Sequence, residues 1–356
     1  MSEDRLARPG LQSTDAQSAS LAHPGKPDTG RTLRYDNAKG MLILLVIWGH
    51  LIEVATFSDR IASAVYAGIY LFHIPAFAMI SGMVARPAPA GTTLDRIARS
   101  LLFPLVIYQL AYWPFLAKLA PERVGGLLTP HWILWFLASL AAWRAMFPLF
   151  ARLQPAVSIP LAIIIALAAG YVDGVDRTLS LSRTLVFFPA FLSGYWIAKS
   201  VPGIGTRTFV WAAGPLLLLA GMASFAGYAG WDLSLLYGSS PYAAFAQGQV
   251  PAALIRVATI TSGGLAAVLF ILLAPVGPGL LTRLGRATLP IYLMHGFVVV
   301  IFWKLTSVED FASTPAFLAF CGCIAVISGI GLLFAVEAWR SVRRRTLNAS
   351  GSAGRA

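Results

Sequence analysis

The chain has 356 residues, 57% of them hydrophobic and only 12% charged, with a net charge of +12 and a mean hydropathy of +0.72. A soluble domain carries about 25% charged residues, so an ordinary globular enzyme, a disordered chain and a fibrous repeat are all excluded. The composition predicts an all-α, polytopic transmembrane helical bundle. The 27 basic residues gather at the ends of apolar runs, which is a membrane distribution and not a nucleic-acid-binding patch.

Residues 1–34 are polar and lack the apolar core of a cleavable signal peptide. They read as a disordered cytoplasmic tail, with the first apolar run as an uncleaved signal anchor. Residues 35–339 read as the transmembrane domain and 340–356 as a basic cytoplasmic tail. A spanning helix needs roughly 17–25 mostly apolar residues. By that measure about ten spans are expected, near 38–57, 61–84, 101–119, 132–150, 156–172, 183–199, 209–227, 254–274, 287–306 and 315–338. The runs do not alternate with period two, so helices are expected and not a β-barrel. Cys321 and Cys323 both lie within an apolar run, two residues apart, and read as packing residues.

Lys and Arg set the orientation. With the N-terminus inside, the cytoplasmic segments hold Arg31, Arg34, Lys39, Arg86, Arg96, Arg99, Arg152, Lys199, Arg207, Arg283 and Arg286, whereas the loop 228–250 has no basic residue. An even span count puts both termini in the cytoplasm. The expected location is a bacterial inner membrane.

Polar residues at membrane depth are costly and are the informative ones. In the first span Glu53 follows His50 by three residues, so the two share a helix face. That pairing suits a general base held by a carboxylate, and equally a hydrogen-bonded packing histidine. His73 lies at comparable depth in the second span, followed by Pro75, which frees a backbone carbonyl, and by Ser81-Gly82, which permits close helix approach. His295 sits in the ninth span with Tyr292 three residues earlier and with Pro290 expected to break the helix. His131 falls at an interface. Near the cytoplasmic face, Arg96 and Arg99 form a fork suited to phosphate, or are simply positive-inside charges. Asp36 reads as a cap of the first helix between Arg34 and Lys39, and Arg144 and Arg256 as snorkelling side chains. The outer loop 228–249 offers Trp231, Asp232, Tyr237 and Tyr242, either for sugar contact or as an ordinary interfacial loop. A basic inner face with buried histidines fits group transfer from a cytosolic phosphorylated donor. It also fits a proton-coupled transporter or flippase of a polysaccharide precursor.

Six phrases, in order, resemble the membrane-bound acyltransferase family 3, and within it the fucose 4-O-acetylase-like members. They are RYDNAKGMLILLVIWGH, YLFHIPAFAMISG, RIARSLLFP, HWILWFLASL, FFPAFLSGYWIAK and LGRATLPIYLMHG, covering about residues 31–338. The resemblance implies transfer of an acyl group, often acetyl, from cytosolic acyl-CoA to a hydroxyl of a sugar or glycan, with membrane lipids around the bundle, no metal and no nucleic acid. It places the essential histidine at His50, the family's Arg-x-x-Arg at Arg96 and Arg99, and its second-span histidine at His73. On chemical grounds His50 would act as base or acyl carrier with Glu53 orienting it, His73 or Tyr292 would stabilise the thioester oxyanion, and Arg34, Lys39, Arg96 and Arg99, all at the cytoplasmic face, would hold the coenzyme phosphates. Asp36, Tyr292 and His295 are supporting candidates. This chain carries Thr288 and Pro290 in the family's late motif and ends soon after the tenth expected span.

Overall fold

The computed structural model describes residues 30–353, apart from 127, 201–208 and 246–247. Most of the expected N-terminal tail, and Arg207, lie outside the described residues. Among the described residues there is no strand, and seven helices are long and apolar enough to cross a membrane. Each of the ten segments expected from the sequence falls on a helix.

The described residues begin with α1 (Gly30–Ile52), which tightens into a 3-10 turn at Glu53–Phe57 before α2 (Arg60–Met83) returns. Asp59 makes that reversal: its carboxylate accepts the N–H groups of Ile61 and Ala62, both at 2.8 Å, and the Thr314 hydroxyl at 2.5 Å. These bonds satisfy orphan donors at the helix start. An amphipathic α3 (Ala90–Ile97) passes through a π turn at Ala98–Leu102 into α4 (Phe103–Leu119). Then come α5 (Trp135–Phe150), α6 (Pro155–Ala168), α7 (Leu181–Ser200), α8 (Phe209–Tyr228), α9 (Gln249–Leu273), the short α10 (Leu280–Arg286), α11 (Thr288–Leu305) and α12 (Thr314–Ala353). The last helix runs straight through the expected boundary at 339.

The most buried of the candidate spans is α2. It can sit so deep because its neighbours approach through glycine: a Cβ on Gly82 would overlap the Phe191 carbonyl of α7, and one on Gly194 would overlap the Met79 carbonyl of α2. This is small-residue packing of the kind membrane helices rely on. Buried cores lie on both sides of α1, with Ile43, Ile47, Ile291 and Phe317 on one and Leu42, Ala76, Met79 and Phe270 on the other. Leu217, Phe225, Leu305 and Ile327 point outward, as lipid-facing positions do.

Three local expectations are corrected. Asp36 does not cap α1, because the helix starts six residues earlier at Gly30. It lies inside the helix and pairs with Lys39 at 2.8 Å and Arg286 at 3.0 Å. Pro290 does not break the ninth span, since it falls in the first turn of α11, where no N–H is needed. Arg256 does not snorkel. It is buried under the outer loop, stacked 4.4 Å from the Tyr242 ring centroid and donating to the Ser240 carbonyl at 2.8 Å.

Candidate active site

His50 lies on the last turn of α1, where the change to a 3-10 turn carries Glu53 back beneath it. Its Nδ1 donates to the Glu53 carboxylate at 2.9 Å, and the other carboxylate oxygen accepts Arg123 Nη1 at 3.0 Å. A carboxylate can only accept, so Nδ1 bears the proton and the lone pair of neutral His50 is on Nε2. Arg123 comes from the loop after α4 and is held between two indoles, 4.2 Å from the Trp303 ring centroid and 5.0 Å from that of Trp132. The Trp303 N–H donates to the His50 carbonyl at 3.1 Å. The three ionisable side chains are each about 13–16% exposed, so the charges of Glu53 and Arg123 balance one another away from bulk water.

Aromatic rings fix the imidazole from the sides. Trp132 meets it edge-on at 4.7 Å and His295 lies roughly parallel at 5.6 Å. Trp132 adopts φ +27°, a strained value for a bulky residue. His295 donates from Nδ1 to the Tyr292 carbonyl at 2.6 Å, and its buried Nε2 has no partner among the described residues. His73 likewise donates from Nδ1 to the Ile69 carbonyl at 3.0 Å. Tyr70 joins the two elements: its hydroxyl is 3.2 Å from His50 Nδ1, and its ring is 4.4 Å from that of His73.

Two cavities meet at this point. The first, about 80 Å³, opens towards the Glu53 end and is lined by Tyr66, Tyr70, Arg183, Leu236 and Tyr237. The second, about 250 Å³, runs towards the basic end past Phe77, Leu140 and Leu289 to Lys39 and Arg286. Both are walled by His50, His73, Ile74 and Trp135. Tyr237 enters from the outer loop and is fixed by the Tyr66 hydroxyl at 3.0 Å, while Arg183 donates to the Tyr237 carbonyl at 3.3 Å and lies over the Trp135 ring.

A family model for an Acyltransferase domain, that of acyltransferase family 3, matches residues 33–335. The chain belongs to the acyltransferase 3 family. It is 30% identical over 190 residues to the Nodulation protein NolL of Sinorhizobium fredii, covering 48% of this chain and 50% of that one. It is 26% identical over 226 residues to the Nodulation protein NolL of Mesorhizobium japonicum, covering 56% and 57%. The chain therefore spans about half the length of the curated relatives it matches. No solved structure matches it.

The family motifs converge unevenly. The phrases ending at His50 and holding His73, Trp132 and Tyr292 all reach the junction of the cavities. The Tyr292 hydroxyl, an expected oxyanion donor, is instead engaged with the Ile133 carbonyl. Lys39 lines the larger cavity, but Arg34 is 5% exposed, its Nε unpartnered among the described residues, and it lines neither cavity. Arg96 and Arg99 line neither of these two cavities: both are exposed, and Arg99, whose side chain is 82% exposed, is tied to Asp95 at 2.7 Å. The Asp36 side chain braces α1 against α10, helped by Asn37, which donates to the Pro275 and Gly277 carbonyls and accepts from Thr282. His131 pins the connection between α4 and α5 by accepting the Gly125 N–H at 3.1 Å. Sequence reasoning missed Arg123, Arg183 and Tyr66. Each comes from another segment of the chain, and nothing in local spacing signals the convergence.

Proposed function

We infer that the protein is an O-acyltransferase of a bacterial inner membrane, with both termini cytoplasmic. It moves an acyl group, acetyl foremost, from cytosolic acyl-CoA to a hydroxyl of a sugar or glycan. The observation that carries this reading is the meeting of two cavities, from opposite ends of the bundle, at an imidazole whose Nε2 lone pair is free because Glu53 holds Nδ1.

The thioester reaches His50 through the inner cavity, between apolar walls that exclude water and limit hydrolysis. The acceptor comes from the other end, where tyrosine rings suit the apolar faces of a sugar. Arg183 and the tyrosine hydroxyls supply hydrogen bonds for its polar edges. His50 Nε2 takes the hydroxyl proton as the oxygen attacks the thioester carbonyl. Collapse of the tetrahedral adduct forms the ester and expels the thiolate, which takes the proton back from the imidazolium. Glu53, itself charge-balanced by Arg123, stabilises that imidazolium. His73 and His295 present lone pairs at Nε2 in their neutral forms, so they shape the junction and do not donate to an oxyanion.

Thiol release from acetyl-CoA, measured on purified protein in nanodiscs with a mixture of bacterial glycans and free sugars, tests the reading. Release should require His50 and be lost in His50→Ala at unchanged protein abundance. Near-wild-type release by that variant would sink it.

A further inference from the structure

Lys39 stands at a crossroads. One side of it lines the inner cavity that leads to His50, and the other lines a pocket of about 460 Å³ at the basic end of the bundle. Tyr35, Asp36, Arg86, Tyr195 and Lys199 also line this pocket, so it holds one carboxylate against three cations, which come from α1, from the segment after α2 and from the end of α7. From these residues we propose that the pocket receives the phosphorylated nucleotide end of the donor, in place of the Arg96 and Arg99 pair. This rests on the acyl-CoA reading above.

Charge supports the assignment. Among the described residues, the carboxylates at this end are already occupied: Asp95 holds Arg99, Glu337 holds Arg283, and Asp36 is shared by Lys39 and Arg286. Arg86 and Lys199 form no ion pair among the described residues. The pocket thus keeps a positive excess, which a ligand with several phosphates would neutralise. Tyr35 and Tyr195 add aromatic surface of the kind a base stacks on, and Lys199 lies 5.0 Å from the Trp196 ring centroid. Reach agrees as well. Lys39 and His50 are eleven residues apart on one helix, about 17 Å at 1.5 Å per residue, a gap suited to an extended pantetheine arm. Arg96 and Arg99 have no such path, since neither lines the cavity behind His50.

Phosphate could also reach this pocket on an anionic lipid, so the test separates the two sources. Coenzyme A and, separately, adenosine 3′,5′-bisphosphate would be titrated calorimetrically into the full chain in phosphatidylcholine nanodiscs. The Arg86→Gln/Lys199→Gln double variant should bind both at least tenfold more weakly at an unchanged melting temperature, and Lys199→Arg should keep wild-type affinity. Equal affinities in wild type and double variant would overturn the assignment while leaving the donor reading standing. Loss of nucleotide binding when phosphatidylglycerol replaces part of the phosphatidylcholine would also overturn it, by giving the pocket to a lipid phosphate. A wild-type protein that binds neither probe would remove the donor reading itself.

Discussion

The two cavities that meet at His50 are built from opposite chemistry. The outer one is walled by tyrosines and holds Glu53 and Arg183, with Arg123 behind Glu53. The inner one is largely apolar and becomes cationic only at its far end, at Lys39 and Arg286. Polar walls suit a ligand made of hydroxyl groups, whereas apolar walls with a charged mouth suit a long arm with phosphates at one end. One imidazole serves both because it stands where α1 tightens into a 3-10 turn, with one side against each compartment.

The largest effect is expected at the shared imidazole. His50→Gln should lower transfer by on the order of 10²–10⁴-fold, the usual worth of a positioned base, and a loss below tenfold in initial rate would contradict the assignment. Glu53→Gln should follow at on the order of 10²-fold, with the pH profile of the rate displaced because the imidazolium loses its counter-charge. Arg123→Gln should fall in the same direction by less, because Glu53 still holds His50 directly; a loss equal to that of Glu53→Gln would mean that Arg123 acts on the substrate itself.

A matched pair of bulky substitutions sharpens the contrast between compartments. Leu289→Trp narrows only the inner cavity and should raise KM for the thioester, leaving the acceptor KM near wild type. Leu236→Trp, on the outer wall, should do the reverse. The same KM rising in both variants would erase the distinction.

The smallest effect concerns the hairpin that carries His50 and Glu53. Asp59→Ala should cost about 1 kcal/mol, as lost helix caps do, readable as a lowered melting temperature. The Asp59 carboxyl is pushed up by burial, but the Thr314 hydroxyl and the Ala62 and Ile61 amides outweigh this and hold it below its ordinary value near 3.8. Its folded value is depressed, so this stabilisation is present above the unfolded value and is lost as pH falls through the folded one. Wild type should therefore lose melting temperature in acid below about pH 4 more steeply than Asp59→Asn.

The architecture was legible from composition and apolar run length, because a bilayer dictates both. The His50 and Glu53 pair was legible because three residues make less than one helical turn. Spacing, however, reports only on neighbours along one helix. It could not bring Arg123, Arg183 or Tyr237 to the site, since each arrives by tertiary packing across loops. It also gave weight to Arg96 and Arg99 as a phosphate fork, although Arg99, in the π turn after α3, is exposed and tied back to Asp95. Asp36 looked like a cap only because the sequence does not show that α1 begins as early as Gly30.

The central claim is that donor and acceptor reach one histidine from opposite faces. It is tested most directly in proteoliposomes of known orientation, with acetyl-CoA on one side and a membrane-impermeant glycan acceptor on the other. The account predicts acetylated glycan only when acetyl-CoA is on the face bearing Lys39 and Arg86, and none with His50→Gln. Product formed only when both substrates share a face, or formed equally well without His50, would contradict it.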